Sequence, residues 1–314
     1  MLRILAACFA AALAACAGAP AAEELREVAP GVSVFGASVG GLTSEPARSQ
    51  IQRAFARPIV IAYAGQTFSV SPTQLGAKAG VDAAIRSALS ATPRSTIGLP
   101  VTFSQAAVQR LVSTLAWRYD RKPVSATVKG ANASGPVFQP ARDGVEVLKD
   151  AMEAEITHEL TGGSRAPLRL ATAAIAPAKT QTRFGPVIVV NRAENTLKLY
   201  DSQRLIRTIP VATGQSIYPT PPGIFKIVDK QKNPWWYPPT YDAWAHGLKP
   251  VPPGPDNPLG TRWMGLSVPG VGIHGTDEPT SIGYSASHGC IRMHVPDAEW
   301  LFNRVATGTP VVIE

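Results

Sequence analysis

Hydrophobic and polar positions follow two different rhythms along this chain, and the change falls near residue 184. Upstream, helix-like segments take turns with short alternating runs. Leu42-Thr43-Ser44-Glu45-Pro46 opens a helix-like run to Phe55. Ile59 to Tyr63 and Phe68 to Val70 then alternate on either side of a turn at Gly65, and a second helix opens at Val81. The succession recurs: Phe103-Ser104 leads a helix through Trp117, strands at Val124 to Val128 and Val137 to Gln139 flank a turn at Gly130, and a helix after Gly144-Val145 runs to Leu160. Pro58 and Pro123 stand 65 apart, and Val81 and Val145 stand 64 apart. Near-constant offsets predict two copies of one α+β unit over 26–178. Thr43 and Ser104 are placed to cap the leading helix of each copy.

Residues 171–183 are mostly Ala, Thr, Pro and Lys and read as a linker. Past it, strand-like runs dominate: Pro186 to Val190, Leu197 to Tyr200, Leu205 to Val211, Gly223 to Val228, Trp263 to Val268, Val271 to His274 and Pro310 to Ile313, with one helix at Pro296 to Ala306. The segment Asn233 to Arg262 holds eight prolines and Trp235, Trp236 and Trp244. A loop of that length inside a compact domain usually carries function, so Trp235 and Trp236 are expected either to wall a cleft or to anchor packing. The expected architecture is a duplicated α+β module followed by a mainly β, sandwich-like domain over 184–314.

The first residues set the expected compartment. Met1-Leu2-Arg3 precedes an apolar run from Ile4 to Ala15, too short for a bilayer span of roughly 20 residues and suited to a signal sequence over 1–22. Leu13-Ala14-Ala15-Cys16 resembles the bacterial lipoprotein signal, in which the cysteine, here Cys16, is acylated. Cleavage after Ala22 is the alternative, and both routes predict export to the cell envelope. The formal charge of +8 suits an anionic surface such as a cell wall. No run of Lys and Arg is denser than Arg121-Lys122, which argues against nucleic acid as a partner.

Of three cysteines, Cys8 and Cys16 fall in the signal-like run, leaving Cys290 between His274 and His288 on one side and His294 on the other. Zinc would accept such ligands, but neither a Cys-x2-Cys spacing nor a supporting carboxylate is apparent. Nucleophilic catalysis by a Cys–His couple needs a base, an acceptor to orient it, and amides aimed at an oxyanion. The tight turn His288-Gly289-Cys290 can supply such amides.

Ile273-His274-Gly275-Thr276 followed by Ser287-His288-Gly289-Cys290-Ile291-Arg292-Met293 resembles the signature of the L,D-transpeptidase catalytic domain of bacterial cell-wall synthesis. Asn257 to Leu266 and Pro221-Pro222-Gly223 are similar to the same family, with Val295 standing where many relatives carry asparagine. The 26–178 region resembles the peptidoglycan-binding module found ahead of such domains. This resemblance implies acyl transfer on peptidoglycan stem peptides: attack by Cys290, a thioester, and capture by an amine to give a 3→3 cross-link. It implies His274 as proton acceptor and donor, the Gly275 carbonyl as its orienter, and the Gly289 and Cys290 amides in the oxyanion hole. Ser287 and His288 would shape the turn, and Arg292 would act on charge and the donor carboxylate. It implies no metal or cofactor, and it implies inhibition by β-lactams, carbapenems in particular. An L,D-carboxypeptidase, with water as acceptor, and an inactive wall-binding anchor remain the alternatives.

Overall fold

The structure is a computed structural model that describes residues 26–240 and 243–314. The signal-like segment 1–22, with Cys16, lies outside the described residues. The chain divides into two compact units: one takes residues up to Asp120 plus Glu146–Ala173, the other takes Arg121–Val145 plus Ala174–Glu314.

The first unit contains α1 (Ser44–Ala56), the hairpin β1 (Ile59–Tyr63) and β2 (Gln66–Val70), α2 (Val81–Leu89), α3 (Gln105–Tyr119) and α4 (Lys149–Gly162). Ser104 caps α3 by accepting from the Ala107 amide, whereas Thr43 precedes α1 without a side-chain cap bond. The helix pair of each sequence copy has its own core. Ala47 and Ile51 of α1 and Ala84, Ile85 and Ala88 of α2 pack with Val28, Val32, Val34 and Val39. Val108, Val112 and Leu115 of α3 meet Met152, Ile156 and Leu160 of α4, and this second core is completed by Ile59, Ile61 and Val70. The hairpin of the first copy therefore covers the helices of the second.

The hairpin of the second copy belongs to the other unit, so residues 26–178 are shared between the two. Strands β3 (Thr127–Asn132) and β4 (Gly135–Gln139) pair antiparallel. Ala126, Val128, Ala131, Phe138 and Ala141 pack with Phe184, Val187, Val189, Tyr200 and Val312. Residues 171–183 also depart from a plain linker: Thr172–Ile175 form a strand, and Thr180 bridges Arg183.

The second unit is built on one mixed eight-stranded sheet. Its strands are β5 (Pro186–Asn191), β6 (Thr196–Asp201), β7 (Arg204–Pro210), β8 (Gly223–Lys232), β9 (Arg262–Leu266), β10 (Gly272–Gly275), β11 (Ile291–Met293) and β12 (Pro310–Ile313). Their order is β7-β6-β5-β12-β8-β9-β10-β11. Only β5/β12 and β10/β11 run parallel within it. The unbroken apolar run of β5 follows from burial on both faces: Ile188 and Val190 enter the main core, while Val187 and Val189 lie under the β3–β4 hairpin. Residues from both ends of the sheet, including Leu197 and Ile209 as well as Ile273, Ile291 and Met293, share that main core with Ala298 and Leu301 of α5 (Val295–Phe302). The sheet must therefore curl upon itself, in the sandwich-like manner expected. Its two edges are joined just past β7, where the amides of Ala212 and Arg292 each donate to the other's carbonyl at 2.9 Å.

Candidate active site

Strand alternation gathers the site. Pairing sets Trp263 opposite His274 and His274 beside Arg292, while Met264, Ile273, Ile291 and Met293 point to the opposite, core face. Side chains that pair across strands share a face. One step back along β11, the same register puts Cys290 beside Gly272. The thiol of Cys290, the imidazole of His274, the guanidinium of Arg292 and the indole of Trp263 thus line one side of three adjacent strands. Gly272 is required there, since a Cβ would overlap the Trp263 ring that lies across it.

His274 is 4% exposed, and its Nδ1 bonds the Gly275 carbonyl at 2.5 Å. A carbonyl can only accept, so Nδ1 carries the proton and Nε2 is left as the basic atom. Burial lowers the His274 pKa from 6.5 to about 4; the Gly275 hydrogen bond opposes this and the Arg292 charge adds to it. The Cys290 thiol is half-buried and donates to the Gly270 carbonyl at 3.4 Å. Its desolvation pushes the pKa from 9.0 up to about 11, opposed by the Gly272 backbone and by Arg292. The resting couple is therefore a neutral imidazole and a neutral thiol at pH 7.

The turn carrying Cys290 is held from both sides. Gly289 adopts φ +111°, a conformation that L side chains rarely adopt. Ser287, 1% exposed, donates through Oγ to the Cys290 carbonyl at 2.6 Å and accepts from the Gly289 amide at 3.1 Å. The Gly289 amide, expected with the Cys290 amide in the oxyanion hole, thus donates to Ser287 Oγ in this arrangement. Thr220 Oγ1 donates to the Gly289 carbonyl at 2.9 Å and accepts from the Gly214 amide at 2.8 Å. Thr220 is buried and sequence reasoning missed it; a lone threonine in a loop 70 residues upstream gives no local signal.

His288 lies between rings, stacked on Trp244 with centroids 4.1 Å apart and tilted against Tyr218 at 5.0 Å, as suits a turn-shaping role. Arg292 donates from Nη1 to Glu278 at 2.6 Å. Val295 packs a methyl against Gly275 and Gly260, supporting the histidine end of the site without the asparagine of many relatives.

A cleft of about 560 Å³ opens over this face, and its lining includes Trp235, Trp236, Tyr237, Trp244 and Trp263 together with His274, Glu278, Ser287, His288, Cys290 and Arg292. The proline-rich segment forms one wall. Trp236 and Val251 exchange backbone hydrogen bonds at 2.9 Å. Fully buried Asn257 donates to the carbonyls of Pro234, Val251 and Pro252 and accepts from the Leu259 amide. Among the described residues, no group of three or more His, Cys, Asp and Glu is arranged to hold a metal ion.

Two family models match the chain. Residues 185–313 match the "L,D-transpeptidase catalytic domain", and residues 61–169 match the "Putative peptidoglycan binding domain". The chain is 39% identical over 126 residues to "Putative L,D-transpeptidase YkuD" of Bacillus licheniformis, a match covering 40% of this chain and 64% of that protein. It is 35% identical over 133 residues to "Putative L,D-transpeptidase YqjB" of Bacillus subtilis, covering 41% of this chain and 70% of that protein. Among solved structures, the catalytic domain of the E. faecium L,D-transpeptidase is 27% identical with a TM-score of 0.34, covering 41% of this chain and 96% of that one. With 70% of the YqjB protein covered at 35% identity and residues 185–313 matching the catalytic-domain model, the chain belongs to the L,D-transpeptidase family by its C-terminal domain.

Proposed function

We propose that this protein is an exported peptidoglycan L,D-transpeptidase that joins two stem peptides through a Cys290 thioester. The observation that carries the reading is the one-sided array of Trp263, His274, Cys290 and Arg292 across β9, β10 and β11, with His274 Nδ1 tied to the Gly275 carbonyl. The Cys290 sulfur attacks the carbonyl that joins the third stem residue to the terminal D-alanine of a tetrapeptide donor. His274 Nε2 takes the thiol proton as the S–C bond forms. A neutral starting pair makes this concerted general-base attack rather than attack by a preformed thiolate. The Cys290 amide meets the developing oxyanion, a contact of roughly 3 kcal/mol in such sites. Collapse breaks the C–N bond, and the imidazolium returns its proton to the departing D-alanine amine. The side-chain amine of a diamino acid on a second stem then displaces the thiol and forms a 3→3 cross-link.

The match of residues 61–169 to a peptidoglycan-binding model supports placing the first unit at the wall. Among the described residues, no helix is long and apolar enough to cross a membrane. Acylation at Cys16 would supply the anchor, and Cys290 would be the target of carbapenems. The test is incubation with purified disaccharide-tetrapeptide, followed by intact mass of the protein and resolution of products. A thioester adduct and a cross-linked dimer are expected from the wild type and neither from Cys290→Ala; an adduct on the alanine variant would refute the assignment.

A further inference from the structure

The cleft that holds Cys290 also holds one ion pair, Arg292 with Glu278, and its two partners are unlike. The Arg292 side chain is 16% exposed, and its backbone is fixed by pairing with Ala212 and β10. Glu278 is 63% exposed, although its own amide is pinned by Thr276 Oγ1 at 3.0 Å. The carboxylate is thus a solvent-exposed group on a fixed backbone position at the mouth of the cleft. It stands one side chain from Arg292, which lies beside His274 in the sheet. A pair with so exposed a member contributes little net stability, so a charged ligand exchanges it readily.

The groups that the two stems must present here differ in charge. The donor arm held at the thioester presents a carboxylate, while the attacking side-chain amine of the acceptor arrives as an ammonium at neutral pH. Water, the competing acceptor, brings no charge. We propose that Glu278 is the residue that selects an amine over water, by leaving Arg292 to the donor's carboxylate and taking the ammonium of the incoming acceptor. This rests on the thioester reading above and extends it to the second half-reaction.

The step balances as follows. The held ammonium releases one proton to solvent, and its nitrogen lone pair attacks the thioester carbonyl carbon. A C–N bond forms and the C–S bond breaks. The second nitrogen proton passes to His274 Nε2 and on to the departing sulfur, restoring the thiol. A carboxylate beside an ammonium also opposes its deprotonation. Glu278 therefore acts by concentrating the acceptor, and its signature falls on the acceptor's KM more than on the maximal transfer rate.

The experiment uses the full chain, disaccharide-tetrapeptide as donor, and disaccharide-tripeptide as an acceptor that cannot itself donate. Dimer formed per D-alanine released measures the partition of the thioester between amine and water, whatever the rate of acylation. Glu278→Gln is expected to lower this ratio about tenfold at limiting acceptor, with recovery as acceptor is raised and with rescue by Glu278→Asp. Added salt is expected to lower the ratio in the wild type and to leave it unchanged in Glu278→Gln. A ratio within twofold of wild type in Glu278→Gln, or a loss that neither acceptor concentration nor Glu278→Asp restores, overturns the proposal. Failure of the wild type to release D-alanine would instead overturn the thioester reading, and this inference with it.

Discussion

A catalytic fragment cut at residue 184, where the sequence change suggests a boundary, would lose the cover of one face of its own sheet. The β3–β4 hairpin, within residues 121–145, packs Val128, Ala131 and Phe138 on Phe184, Val187, Val189, Tyr200 and Val312. The Phe138 and Phe184 rings lie 4.9 Å apart and are tilted by 56°. Uncovering five large side chains, each worth about 1.5–3 kcal/mol when fully buried, removes several kcal/mol even after a discount for partial exposure. That is comparable with the whole stability of a domain, about 5–15 kcal/mol. Residues 184–314 alone should therefore unfold at markedly lower urea than 121–145 joined to 174–314 by a short glycine linker. Phe138→Ala in the linked form should cost about 2 kcal/mol, below the value for a fully buried phenylalanine because the ring is only partly buried. Tryptophan fluorescence across a urea titration reads both. Equal midpoints for the two fragments would refute the reasoning and make the hairpin an ornament of the fold.

With His274 lowered to about 4 and Cys290 raised to about 11, acylation should rise with pH through about 4 and stay level to about 10. An acid limb at pH 6–7 would contradict the neutral resting pair. At pH 7 the thiolate fraction of Cys290 is on the order of 10⁻⁴, so iodoacetamide should alkylate it about a hundredfold more slowly than an ordinary thiol; alkylation at the ordinary rate would show a lowered pKa. Stability should follow the same two groups. His274, whose folded pKa is below 6.5, withdraws stability as pH falls from 6.5 toward 4, by up to about 3 kcal/mol. Cys290, whose folded pKa is above 9.0, withdraws it as pH climbs from 9 toward 11. Urea midpoints flat across both windows would exclude this linkage. Ser287→Ala strands the Gly289 amide and the Cys290 carbonyl, costing about 1–3 kcal/mol and at least tenfold in acylation; wild-type acylation would show that the turn holds itself. Asn257→Ala should release the tryptophan wall and raise the donor KM more than it lowers kcat, and an unchanged KM would remove that wall from donor binding.

What the sequence made legible was local. Histidine at 274 and the Ser287-to-Arg292 run around Cys290 could be read as one constellation before any pairing was known, although their shared face came only from the β10/β11 register. The fixed offset between the copies was equally plain, but the docking of each hairpin was not. Ile59 to Tyr63 and Val124 to Val128 alternate alike, and only tertiary packing sends one to α3 and α4 and the other to β5 and β12. That the Ser287 hydroxyl turns back onto the Gly289 amide was not legible, because a serine hydroxyl can turn either toward its own turn or away, and composition does not say which. Residues 172–175 read as linker because alanine dominates them, while the pairing partner that makes them a strand lies at 144–147.

The seam at Ala212 and Arg292 has a consequence for when the chemistry becomes available. These residues are 80 positions apart, and their two hydrogen bonds close the sheet immediately beside Cys290. Contacts of such separation in sequence carry a large loop-closure cost and form late in folding. Closure at this seam also fixes the backbone of Arg292, two residues from Cys290. Under the proposed reaction, acyl transfer would therefore report completed folding, since a chain stalled with an open seam leaves Arg292 unfixed beside Cys290.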